Sequence, residues 1–169
     1  MDEAPRLIIE MHEWIWSGFR SDLDGLTLEE IDWRPVPEAN TINLIVRHLR
    51  IDAPWHVAGI ESSPEHRSPD AVPLDFQRNL KELDALWDRF VRALRATTRV
   101  DLKRQTALAY AENAAAGALI PEHLLGFHMA VHVARHWGQI RTLRNLYCTT
   151  RGEPARFFPH NPTFPTTDY

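Results

Sequence analysis

Apolar residues in this chain recur every three or four positions in four separate blocks, and proline-rich stretches cut the blocks apart. Such spacing matches the 3.6-residue turn of an α-helix, and an amphipathic helix must bury its apolar stripe against another element. Leu7, Ile8, Met11, Trp14, Ile15 and Phe19 predict a first helix over about residues 4–23, ended by Asp24-Gly25. Ile42, Ile45, Leu49 and Ala53 predict a second over about 41–60, with Asn40 as its N-cap and Pro54 as a candidate kink. Phe76, Leu80, Leu83, Trp87, Phe90, Val91 and Leu94 predict a third over about 74–96, with Arg78/Glu82 and Asp88/Arg92 on its solvated face. Leu124, Phe127, Val131, Ile140, Leu143 and Tyr147 predict a fourth over about 121–149, with Pro121 at its first position and Gly152 and Pro154 stopping it. Four stripes without a firm strand make an all-α bundle the natural solution.

The connections refine this outline. Thr27 followed by Glu30 is a capping-box pattern, so LTLEEID predicts a short helical turn before Pro35 and Pro37 extend the chain. ESSPEHRSPDAVP, with three prolines, reads as a long crossover between the second and third helices and permits a non-meander topology. Residues 98–120 stay open: VDLKRQTALAY is compatible with a strand pair or a loop, while AENAAAGALI has helical propensity broken by Gly117. The tail ARFFPHNPTFPTTDY is too proline-rich for a helix, and is expected to run extended along the surface with Phe157, Phe158 and Phe164 docked.

At 169 residues the chain suits one core, so residues 1–169 are expected to form a single domain. A net charge of −4 with scattered Lys and Arg lacks the basic footprint of a nucleic-acid binder. No stretch has the apolar length of a signal peptide or a membrane span, and the lone Cys148 forbids an internal disulfide. A cytoplasmic protein is expected.

Three of the nine histidines, His128, His132 and His136, stand at four-residue steps on the fourth helix. Imidazoles four apart project from one face about 6 Å apart and can converge on one ion. A third ligand must come from a neighbouring helix, and His48, mid-helix between Ile45 and Leu49, is the candidate. A stripe of three spans about 12 Å, more than one ion holds, which assigns His128 to the core or to a supporting layer. The same spacing is compatible with a surface histidine pair. Asp52, one turn after His48, is placed to ligate, to orient an imidazole or to act as a general base; a solvent-facing carboxylate is the plain alternative. Gln139 is placed to hydrogen-bond a ligand or substrate, and Gly138 to admit a close neighbour. Trp14, Trp16, Trp55 and Trp137 are pocket or core residues. Cys148, twelve residues beyond His136 and so about 18 Å along the axis, is too far to act there.

HVARHWGQI fits an HxxxHxGQ(I/L) pattern, and HLRIDAPW fits a His with an acidic residue at +4 and Trp at +7. With LTLEEIDWRPVPEANTINLIVRHL leading in and HNPTFP near the end, the chain resembles the DinB/YfiT-like superfamily of metal-binding bundles along nearly its whole length. The resemblance implies an up-down-down-up four-helix bundle, often dimeric, with His48, His132 and His136 as metal ligands and Asp52 at the family's acidic position, where Glu is commoner. Trp137 takes a position that is frequently polar. Three imidazoles with open positions suit a divalent ion, Zn²⁺ first with Ni²⁺, Fe²⁺ or Mn²⁺ as alternatives, and the resemblance implies a thiol-dependent transferase acting on a low-molecular-weight thiol. A metal-dependent hydrolase and a non-catalytic stress or scaffold protein are the other readings.

Overall fold

The computed structural model of the chain describes residues 3–61, 72–97, 105–107 and 119–157. Its elements are α1 (Glu3–Leu23), α2 (Leu28–Asp32), α3 (Ile42–Glu61), α4 (Phe76–Ala96), β1 (Gln105–Ala107), β2 (Leu119–Pro121) and α5 (Glu122–Thr150). The four long helices fall close to the boundaries that the apolar stripes predict. Residues 62–71, which carry most of the expected crossover, and Phe158, Phe164 and HNPTFP of the tail lie outside the described residues.

Packing runs round a ring, α1 against α4, α4 against α3, α3 against α5 and α5 against α1. Cross-helix contacts give the directions. Glu13 pairs with Arg95 and Arg20 with Asp84, so α1 and α4 are antiparallel. Arg50 pairs with Glu82 and Arg89 with Glu61, so α3 and α4 are parallel. His12 reaches Gly126 while Glu30, just beyond α1, reaches Arg144, so α1 and α5 run alike. His48 meets His132 and His56 meets His128, so α3 and α5 are antiparallel. The bundle is therefore up-down-down-up, and parallel neighbours α3 and α4 need a connection that travels the bundle's length.

The core follows the stripes on α3 and α4, where every residue singled out from the spacing is buried. Trp16 of α1 stacks on Trp87 of α4 at 4.4 Å between ring centroids, and Phe19, Leu83, Phe90 and Leu94 fill the interior beside them. Stripes on α1 and α5 predict less well. Leu7, Trp14 (70% exposed), Phe127 and Val131 (57% exposed) face outward, while His12, Met129, Ala130 and Val133 are buried in their place. Helix α5 carries apolar residues on every side, so periodicity selects no face.

Local signals also shift. Thr41, rather than Asn40, caps α3, its hydroxyl accepting from the Leu44 amide at 3.1 Å. Pro121 closes β2, and α5 starts one residue later, at Glu122. In the segment left open, Gln105–Ala107 of VDLKRQTALAY pairs antiparallel not within that stretch but with Leu119–Pro121, at the end of the stretch read for helical propensity, with Thr106 opposite Ile120. Pro54 sits inside a continuous α3. Gly152, at φ 74°, ends α5, and the Glu153 amide returns to the Cys148 carbonyl at 2.9 Å; a glycine takes this left-handed turn without Cβ strain.

Half of the capping box forms. Thr27 accepts from the Glu30 amide at 3.1 Å, but the Glu30 carboxylate turns away to Arg144, whose Nε donates to it at 2.7 Å. Arg144 and Glu30 are 4% and 2% exposed, and Arg144 also donates to the Asp22 carbonyl. The Asp22 carboxylate accepts from Trp137 Nε1 and from Arg141 Nε. The outer edge of the Trp137 indole, at Cη2 and Cζ2, abuts Gly18, where a Cβ would clash with it. Beyond its own helix, no atom of the described residues comes within 4 Å of a Cβ at Gly138, and within the chain the close helix approach is at Gly18. Phe157 docks as expected: its amide and carbonyl both bond the Asn145 side chain, and its ring lies under the Arg141 and Arg144 guanidiniums.

A buried ion pair is weak evidence of net stability, yet breaking one strands a charge. Arg144→Met is expected to destabilise the chain by about 3–5 kcal/mol, and Arg144→Met with Glu30→Leu to recover most of it. Urea unfolding of both variants checks this; equal losses in the two would show that the pair is not the cause.

Candidate metal centre

Because α3 and α5 run antiparallel in contact, four-residue steps on each bring matching turns face to face. His48 of α3 and His132 and His136 of α5 meet in this seam. The Nε2 atom of His132 lies 3.0 Å from Nε2 of His48 and 3.0 Å from Nε2 of His136, and one ligand nitrogen from each ring falls within 4.8 Å of the others. Asp52 joins them, its Oδ2 3.4 Å from His48 Nε2 and 3.8 Å from His132 Nε2. The residues singled out from the spacing are thus together in space. Gln139 bonds His136: its Oε1 accepts from His136 Nδ1–H at 2.7 Å, which leaves the His136 Nε2 lone pair turned toward its two neighbours.

Burial and mutual repulsion decide the charge. Burial, then the neighbouring His136 and His48, lowers the His132 pKa to about 3. Burial also lowers His136, against the opposing bond to Gln139. These rings are therefore neutral near pH 7, the form that ligates metals. Three imidazole nitrogens brought to one point fit a divalent ion, which accepts the lone pairs that would otherwise crowd one another. Burial raises the Asp52 pKa, with His48, His136 and His128 pulling the other way.

Behind the triad the seam continues. His128 sits one turn further along α5, its ring centroid 5.1 Å from that of His56, and Trp55 stands edge-on to both rings. His56 carries a signal visible in the sequence, following Asp52 by the step that separates Asp52 from His48, but a histidine beyond the first three ligands has no place in a single-ion pattern. His12 was also missed. It is buried against Trp87 and Phe90, its Nε2–H donating to the Gly126 carbonyl at 2.5 Å. Trp55 alone of the four tryptophans reaches the seam, since Trp14 and Trp137 meet each other at 5.8 Å beside α1 and Trp16 is in the core. Cys148 is buried toward the far end of α5.

An up-down-down-up helical bundle with a three-histidine seam and a neighbouring carboxylate defines a DinB/YfiT-like protein. The family model described as Mycothiol-S-transferase matches residues 13–148, and the chain belongs to that family. No curated protein matches the chain. No helix among the described residues is long and apolar enough to cross a membrane.

Histidines held neutral by burial make stability depend on pH. Burial lowers the His12 pKa to about 4 from an unfolded value of 6.5. A lowered folded pKa means that the unfolded chain binds the extra proton, so this stability is complete above pH 6.5 and declines as pH falls toward 4, by about 3 kcal/mol for His12. Metal-free protein is expected to lose stability steadily over that window, and His12→Leu to flatten the slope. Urea midpoints at several pH values read it, and an unchanged slope in the variant would exclude His12 as a source.

Proposed function

We propose that His48, His132 and His136 together hold one divalent ion, Zn²⁺ first, and that the chain transfers the sulfur of a low-molecular-weight thiol of the mycothiol kind to an electrophile. The observation that carries this is the convergence of three imidazole nitrogens with a carboxylate oxygen 3.4 Å from one of them, in a chain of this family. When bound, a divalent ion supplies Lewis acidity that lowers the pKa of a thiol and favours its thiolate.

The chain's own residues do the rest. Asp52, whose pKa burial raises, accepts the thiol proton. Gln139 holds the His136 ring in one tautomer and one orientation. His48, the most exposed of the triad, leaves the seam open to solvent on its side. Sulfur's electron pair then forms the new S–C bond while the bond to the leaving group breaks, the leaving group departing with its pair. A hydrolase would use the same triad, and family membership favours sulfur over water as the nucleophile. The reading puts the protein in the cytoplasm, where such thiols are kept reduced.

Metal analysis by mass spectrometry, with calorimetric titration of Zn²⁺, tests the first half. Ion binding is expected in wild type, with at least a 100-fold loss of affinity at the triad in His48→Ala and in His132→Ala. Asp52→Asn is expected to keep the metal and lose about 10²–10⁴ in thiol-transfer rate, and to lose the acid limb of the pH–rate profile. Metal-free wild type after reconstitution would refute the site; unchanged transfer in Asp52→Asn would refute the base.

The resemblance also implies a homodimer. Apolar Leu7, Trp14, Phe127 and Val131, left exposed on α1 and α5, offer a contact for a second copy. Sedimentation should show a dimer that Trp14→Glu dissociates; a monomeric wild type would end this part of the reading.

A further inference from the structure

Trp137 follows His136 directly and stands two residues before Gln139, which orients the His136 ring. Its own contacts run the other way, to α1. Three α1 residues at four-residue steps meet it: Trp14 stands edge-on to the indole with ring centroids 5.8 Å apart, Gly18 abuts its outer edge at Cη2 and Cζ2, and the Asp22 carboxylate accepts from its Nε1–H. One turn further along α5, the Arg141 guanidinium covers the ring 4.3 Å from its centroid and donates to the same carboxylate at 2.5 Å. An indole gripped at its edge, its nitrogen and its face has no free rotamer into which to retreat.

Gly18 is where this grip sets a distance. A mid-helix glycine weakens a helix relative to alanine, and Gly18 does not have the positive φ that marks Gly25 and Gly152, so backbone freedom does not explain it. What Gly18 supplies is room for the Trp137 edge, which a Cβ would overlap. We propose that Gly18 and Trp137 are positioning residues for the metal triad: the indole seated on Gly18 fixes the spacing and rotation of α5, and so places His132 and His136 against His48. His132 and His136 share one helix and move together, whereas His48 stands on α3. Displacing α5 from α1 therefore keeps the His132–His136 pair and spoils its closure on His48, and ligand distances at a metal are held to about 0.2 Å. The methyl group of an alanine at Gly18 is enough to cause such a displacement, since none of the groups around the indole leaves it space.

The proposal rests on the reading of the triad as a metal site, and a cycle of variants separates the two. Metal-free full-length protein, Gly18→Ala, Trp137→Leu and the double variant are titrated with Zn²⁺ by calorimetry, and the same four are unfolded in urea without metal. Gly18→Ala and Trp137→Leu are each expected to stay folded and to bind Zn²⁺ about 10–100-fold more weakly than wild type. In the double variant the edge that the methyl group meets is gone, so it is expected to bind as Trp137→Leu alone does. A role in packing alone would shift the urea midpoints and leave Zn²⁺ affinity unchanged, and that outcome overturns the proposal. A Gly18→Ala loss of equal size in both backgrounds also overturns it, because the effect would not pass through Trp137. Should Gly18→Ala fail to fold, Trp137→Phe, which keeps a ring but withdraws the outer edge and the N–H, decides: at least 10-fold weaker binding supports the proposal and unchanged binding overturns it. Absence of Zn²⁺ binding from wild type removes the triad reading itself, and the positioning role with it.

Discussion

Helix α5 brings two of the three triad histidines, but its own apolar pattern does not say which way it faces. Its rotation is set by polar contacts to α1 and α2: Arg144 clamped between the Glu30 carboxylate and the Asp22 carbonyl, and Trp137 pressed on Gly18 with its indole N–H on Asp22. With one side of α5 tied down in this way, the side carrying His128, His132 and His136 is turned toward α3. The metal seam thus depends on ion pairs and a glycine that do not touch it. Such groups cost more to break than they add to stability, as expected of contacts that select one arrangement among several apolar ones.

How much of this was legible follows from what each residue type signals. On α4 the apolar residues leave a wide charged face, and every residue picked from the spacing is buried. On α5 Phe127 and Val131 fit a helical period as well as Met129 and Val133 do, and only the packing partner decides among them. The triad was legible because three histidines at four-residue steps are rare enough to stand out and a fourth stands mid-helix elsewhere. His56 and His12 were not, because a reading that treats histidine as polar expects it at the surface, and nothing local announces that its neighbours will enclose it. Topology came from the resemblance; the spacing by itself allowed other connections. Glu30 shows the limit of local motifs: its capping box was read correctly as a helix start, but its carboxylate serves a helix more than a hundred residues away.

The seam is a place where the fold stores an unfavourable arrangement. Histidine rings crowd one another beneath a carboxylate whose own ionisation is opposed by burial, and among the described residues the His56 Nδ1 has no partner. A cation relieves several of these at once, supplying a partner to the lone pairs and a counter-charge to Asp52. Metal affinity and folding stability are then two measures of one free energy, since the unfolded chain presents no preformed site.

The up-down-down-up path has a consequence for how the protein is made. His48 and His132 are 84 residues apart, and α4 lies between their helices in sequence while standing next to α3 in space. During synthesis α1, α3 and α4 can collapse on one another well before α5 leaves the ribosome. Until then the α3 side of the seam, with His48, Asp52 and His56, has no second wall and can offer an ion only isolated ligands. The full set of candidate ligands thus comes together only when the final helix docks.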